Sequence, residues 1–165
     1  MSVEELGLTI EAYTYPDEFE ACDGTAELGD GVVIGQQPRK HFGFCYRTRI
    51  GDDINGDSRG YKIHLVYDCL ASPSEKAYST VNDSPEAITF SWEVTTTKVN
   101  MGDNFRPASE IIIDSTKIDS AKLTTIEDLL YGKDAVTGAN ASEAIDPTLP
   151  SPATILAILN GTYTG

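Results

Sequence analysis

Residues 41–70 read HFGFCYRTRIGDDINGDSRGYKIHLVYDCL, and this stretch decides the fold. Phe42, Phe44 and Tyr46 alternate with Gly43, Cys45, Arg47 and Arg49, the two-residue period of a half-buried strand. A second run sets Tyr61, Ile63, Leu65, Tyr67 and Cys69 against Lys62, His64, Val66 and Asp68. The segment GDDINGDSRG between them, residues 51–60, predicts a β-hairpin connection. Its Asp53, Asn55 and Asp57 also carry the alternate spacing with which oxygen ligands open a calcium loop. An EF-hand needs Gly at the sixth position and a bidentate Glu at the twelfth, where this chain has Ser58 and His64. No metal site is therefore predicted, and the loop is expected to be an exposed hairpin tip.

Outward from this pair, Ile88, Phe90, Trp92 and Val94 alternate strictly with Thr89, Ser91, Glu93 and Thr95, a strand with one wet face. Asn82-Asp83-Ser84-Pro85 before it is a turn. Glu110–Asp114, with three consecutive isoleucines, reads as a strand buried on both faces. The candidate core is Phe42, Phe44, Ile63, Leu65, Ile88, Phe90, Trp92 and Val94. Upstream, Leu8–Tyr15 suggests a weak strand, followed by a long loop to about residue 38, with Val32–Gly35 entering the next element. Downstream the period becomes helical. Thr124 and Glu127 suggest a capping box ahead of Ile126, Leu129 and Leu130, with Gly132 ending the helix. Ser151, Pro152 and Gly161 bracket a second short helix whose apolar face is Ile155, Leu156 and Leu159. Gly132–Leu149 reads as loop.

The expected architecture is mainly β: a single antiparallel sandwich or barrel over residues 1–165 with two short C-terminal helices. Its parts are an acidic strand and loop at 1–40, a β core at 41–114, and a helical part at 115–165.

Charge narrows the function. The chain has a formal net charge of -14, and residues 1–38 hold nine acids with no Lys or Arg. Phosphate-contacting nucleic-acid binding needs clustered cations, so it is excluded as a primary role. Cys22, Cys45 and Cys69 lack zinc spacing and cannot all pair, which fits buried thiols. No segment has the form of an export signal, and no apolar run approaches the roughly 20 residues of a membrane helix. His41 and His64 sit beside no motif that would place a Ser or Cys nucleophile, and no phosphate-binding glycine loop occurs. The chain therefore predicts neither an enzyme nor a cofactor.

HFGFCYRTRIGDD and GYKIHLVYDCLASPSEKAYSTVNDSPEAITFSWEVTTTKV resemble the major tail proteins of long-tailed phages and the prophages derived from them. AKLTTIEDLLYG and LPSPATILAILNG are similar to the helices that close those proteins, and EAYTYPDEFEACDG extends the likeness toward the start. The resemblance implies a virion tail-tube subunit, assembled in the host cytoplasm into rings, commonly hexamers, stacked around a tape-measure protein. A tail terminator and baseplate or initiator proteins would bound the tube, and DNA would pass through it without specific binding. The expected contact loop is Asp52, Asp53, Asn55, Asp57 and Arg59. Members of this type often carry more chain ahead of EAYTYPDEF, which puts the first strands of the sandwich in question. The competing expectation is a carbohydrate-binding β-sandwich on a phage or cell surface, with Trp92, Tyr61, Tyr67 and Phe90 as the stacking face. A small hydrolase is a more distant one.

Overall fold

In the computed structural model, residues 6–52, 56–73, 89–136 and 142–164 are described. Their elements in chain order are β1 (Gly7–Ala12), a 3-10 turn (Asp17–Phe19) running into α1 (Glu20–Asp23), β2 (Ala26–Gly29), β3 (Val32–Ile34), β4 (Phe42–Asp52), β5 (Gly56–Pro73), β6 (Phe90–Thr96), β7 (Glu110–Asp114), α2 (Ser120–Tyr131) and α3 (Pro152–Asn160). The protein is thus mainly β, with antiparallel pairing and few helices, as the sequence periods imply. The chain divides into two compact units: residues 1–42 with 67–97, and residues 43–66 with 98–165.

In the first unit β6 is central. It pairs antiparallel with β1, from Gly7↔Thr95 to Ala12↔Phe90, and with the end of β5, from Cys69↔Thr96 to Pro73↔Trp92. The alternation read from the sequence holds along β6: Trp92 and Val94 are buried, while Glu93 and Thr95 are exposed. Phe90 and Phe42 are only half-buried, a correction to the candidate core, and Ile88 lies outside the described residues. Each still packs on an aromatic neighbour. Phe19 meets Phe42 and Trp92 edge-on at 5.2 Å, and Tyr15 meets Phe90 and Trp92 edge-on at 5.4 Å. Such edge-to-face pairs add about 1 kcal/mol each beyond their buried area. Pro16 leads into the 3-10 turn that aims Phe19 into this cluster. The buried carboxylate of Asp23, at the end of α1, accepts from Trp92 Nε1 at 2.6 Å.

The predicted long loop of the first unit has more structure than its sequence suggests. Besides the 3-10 turn and α1 it contains the β2–β3 hairpin, with Ala26↔Ile34 and Glu27↔Val33 in register and a bulge toward Gly29↔Val32. Asp30-Gly31 makes the turn, and Gly31 has φ 73°, a left-handed conformation that a Cβ would penalise. Residues 37–40 lie back along α1: Gln37 N donates to Gly24 O and Lys40 N to Ala21 O. Arg39 then donates to Ala71 O on β5.

In the second unit β5 lies next to β4 and pairs antiparallel with β7, from Lys62↔Asp114 to Val66↔Glu110. Ile63, Leu65 and Ile113 are buried together with Ile126 and Leu130 of α2 and Ile155 and Ile158 of α3. Two expectations change here. Ile112 is 52% exposed, so β7 has one buried face and one open one. The α3 side that is buried is Ile155 with Ile158, and Leu159 is exposed, because a helix buries positions three apart on one stripe.

The helix ends follow local chemistry. Ser151 Oγ accepts from Thr154 N at 3.1 Å, Pro152 opens α3, and Gly161 closes it with φ 72°, all as the sequence implies. For α2 the cap is Asp119, whose carboxylate accepts from Ala121 N and Lys122 N, rather than the Thr124–Glu127 box. Thr124 is instead one turn inside the helix, where its hydroxyl donates to Ser120 O. No helix among the described residues is long and apolar enough to cross a membrane.

Candidate assembly surface

The sequence puts the aromatic residues of β4 inward and Arg47 and Arg49 outward. Both arginines are exposed, but Arg47 lies against α2 instead of extending into solvent. Arg47 donates to Glu127 Oε1 of α2 at 2.8 Å and to the Tyr131 hydroxyl at 3.3 Å, and its guanidinium lies 4.0 Å above the Tyr61 ring. Tyr61 completes the clamp by donating its hydroxyl to Glu127 at 2.7 Å. Arginine fits there because its stem covers apolar surface, its plane stacks on a ring and its fork reaches a carboxylate. With Arg47 on the helix side, Tyr46 and Phe44 turn to the other face. Phe44 is half-buried rather than core, and Tyr46 is exposed.

That open face of the second unit carries a line of hydrogen bonds across three strands. His64 on β5 meets Thr48 Oγ1 of β4 through Nε2 at 3.0 Å, and Glu110 Oε1 of β7 through Nδ1 at 2.9 Å. The Tyr46 ring lies parallel on the imidazole with centroids 4.4 Å apart. Burial and the neighbouring Glu110 charge raise the Tyr46 phenol above its ordinary range. The order acid, imidazole, hydroxyl is that of a nucleophilic relay. It is equally a way to satisfy a half-buried histidine while pinning three strands together, and one imidazole face is covered by Tyr46. Ile112, opposite His64 in the β5–β7 register, is the most exposed aliphatic residue beside this line.

The first unit presents a second open surface. In the β2–β3 hairpin Leu28 is 70% exposed, Val32 is 53% exposed, and Val33 and Ile34 are also open. Beside it is an acidic recess of about 500 Å³ lined by Asp17, Glu18, Glu20, Glu27, Thr25 and Lys40 among others. Four large aliphatic residues are exposed on one short ribbon, with Val32 and Ile34 on one face and Val33 on the other, and soluble chains usually reserve such apolar surface for a contact. Among the described residues β2 and β3 pair only with each other, so each has an outer edge that no strand covers.

The predicted contact loop is placed only in part. Asp52 ends β4, Asp57 lies in β5, and Arg59 is exposed on β5; Asp53 and Asn55 lie outside the described residues. Trp92 is 1% exposed and Tyr67 is buried, so neither can stack on a sugar. Burial pushes the Tyr67 phenol up to about 12, and burial with the nearby Asp68 charge pushes the Cys69 thiol up to about 11. Burial likewise raises Cys22 and Cys45, and all three cysteines are free, so none is an activated nucleophile. Among the described residues no three His, Cys, Asp or Glu side chains converge as a metal would require.

Sequence reasoning missed the hairpin because Ala26–Gly29 is too short to establish its alternation and Val32–Ile34 has none. The Asp30-Gly31 pair between short apolar runs was the one available signal. Comparison of the chain with protein-family models, with curated proteins and with solved structures gives no match.

Proposed function

We propose that the protein is a self-assembling structural subunit of the kind its sequence resembles, a tail-tube protein of long-tailed phages and prophages. The observation that carries this reading is the β2–β3 hairpin, an open apolar ribbon with uncovered edges. Joining copies into rings, six to a ring, and stacking the rings would bury such surfaces. A tape-measure protein inside, a terminator and a baseplate or initiator at the ends, and DNA in transit are the partners this role brings. The virion tail is then its location, with assembly in the host cytoplasm. The charge of -14 supports the same role, since an acidic bore repels DNA and lets it slide. The finer fold expected with it is the tail-tube sandwich or barrel.

In this role the Glu110–His64–Thr48 line fastens three strands and moves no proton to a substrate. The carbohydrate-binding reading loses its anchor with Trp92 buried. A hydrolase reading has the relay in its favour, and ester hydrolysis that vanishes in Thr48→Val would establish it. For the structural reading, negative-stain images and light scattering of the pure protein should show rings or tubes. Particles of monomer size alone, at every concentration up to millimolar, would sink it.

A further inference from the structure

Given that copies associate, two geometries are open: hairpin against hairpin, or the hairpin of one copy against a different surface of the next. We infer the second, a head-to-tail contact in which the β2–β3 hairpin seats on the open β4–β5–β7 face of the second unit of the next copy. This rests on the assembly reading and adds which surfaces meet.

Charge decides between the geometries. The first unit holds 14 Asp and Glu against 3 Lys and Arg, a net -11; the second holds 12 against 9, a net -3, together the -14 of the chain. A hairpin-to-hairpin contact would bring Glu27 and Asp30 of both copies together, with the recess acids Asp17, Glu18 and Glu20 close by. Like charges juxtaposed in an interface oppose association. The second unit carries nine of the twelve cations and is the less repulsive acceptor.

The acceptor face also matches in kind. Tyr46 and Ile112 are exposed there, an aromatic and an aliphatic side chain for one face of the hairpin to cover, with Val32 and Ile34 on that face or Val33 on the other. Lys62 is exposed on the same strand face as His64, two residues along β5, and offers a cation to Glu27 or Asp30. Two acids of that face are engaged within their own unit, and Asp114 lies across from Lys62 in the β5–β7 register. Glu110 is bound to His64, and Asp114 accepts from Thr116 N at 3.0 Å and from its hydroxyl at 2.6 Å. A contact between two different surfaces leaves one of each free at the ends of any open chain of subunits, so it grows until a ring closes.

The test uses two full-length variants, alone and mixed. Val32→Ser with Val33→Ser blunts the hairpin and leaves the face intact. Lys62→Glu with Ile112→Glu spoils the face and leaves the hairpin intact. Each alone should weaken association about a hundredfold or more, given the two apolar side chains withdrawn, so that neither assembles at concentrations where the parent does. Mixed in equal amounts, they should form a dimer that does not grow, because one good hairpin meets one good face and the other two surfaces are dead. Melting temperatures near the parent's confirm that the variants fold, and Ile112→Ser replaces the charged pair if that pair melts early. A mixture that stays monomeric while the parent assembles overturns the head-to-tail contact and spares the assembly reading. Undiminished assembly of either variant alone also overturns it. A parent protein that never associates removes both.

Discussion

Two groups of apolar side chains in the first unit have opposite fates. Tyr15, Phe19, Phe90 and Trp92 close over one another at 5.2–6.0 Å between ring centroids, with the Trp92 indole N–H satisfied by Asp23. Leu28, Val32, Val33 and Ile34 lie on a two-stranded ribbon too short to shield them. Apolar character is common to both groups; what differs is whether neighbouring elements cover them. The first group should therefore govern folding and the second association, and substitutions can separate these roles.

The largest expected effect is at the buried group. Trp92→Ala empties a site that is 1% exposed and should cost about 3–5 kcal/mol, read in urea denaturation. Next is the alkaline limit of β5, where Tyr67 and Cys69 are buried in their neutral forms. Their folded-state values, about 12 and about 11, exceed the ordinary 10.0 and 9.0. Their contribution is thus fully present below about pH 9 and is lost as pH rises toward 12. Each group supplies up to roughly 3 kcal/mol. Stability measured at pH 8 and at pH 11.5 should differ accordingly, and Tyr67→Phe should flatten the upper part of that slope. A parent protein equally stable at both values would contradict the buried-neutral account.

A smaller effect follows at Asp23. Its replacement by Ala leaves a buried indole donor unsatisfied and should cost about 1–3 kcal/mol, and Asp23→Asn, which keeps an acceptor, should cost less. Equal losses in the two variants would mean that the indole hydrogen bond is not what Asp23 supplies. The smallest change in stability belongs to the hairpin: Val32→Ser and Val33→Ser should each stay within about 0.5 kcal/mol. The order reverses for assembly. The hairpin substitutions should abolish it, whereas Asp23→Asn should leave it untouched.

Residues 41–70 made the strands of the second unit legible, because apolar and polar residues alternate there. The contact of β4 with α2 was not legible. Arg47 on the helix side needs Tyr61, Glu127 and Tyr131 around it, and those lie 14 to 84 residues away in sequence. In α3 the cap, the opening proline and the closing glycine are local signals, so its ends were predictable. Asp119 displaced the expected cap of α2 because a carboxylate one turn earlier was already in position. Trp92 was recognisable as core from its period, but the Asp23 carboxylate that makes its burial tolerable was not, since the pair spans 69 residues. The hairpin was hard to read because its strands are four and three residues long, too short to establish a period, and Val32–Ile34 is apolar throughout.

Sedimentation velocity over a hundredfold range of concentration, on the parent protein and on the Val32→Ser, Val33→Ser variant, tests the central claim most directly. The account predicts species many times the 17.8 kDa chain for the parent and a folded monomer for the variant. A parent that remains monomeric throughout, or a variant that assembles as the parent does, would contradict it.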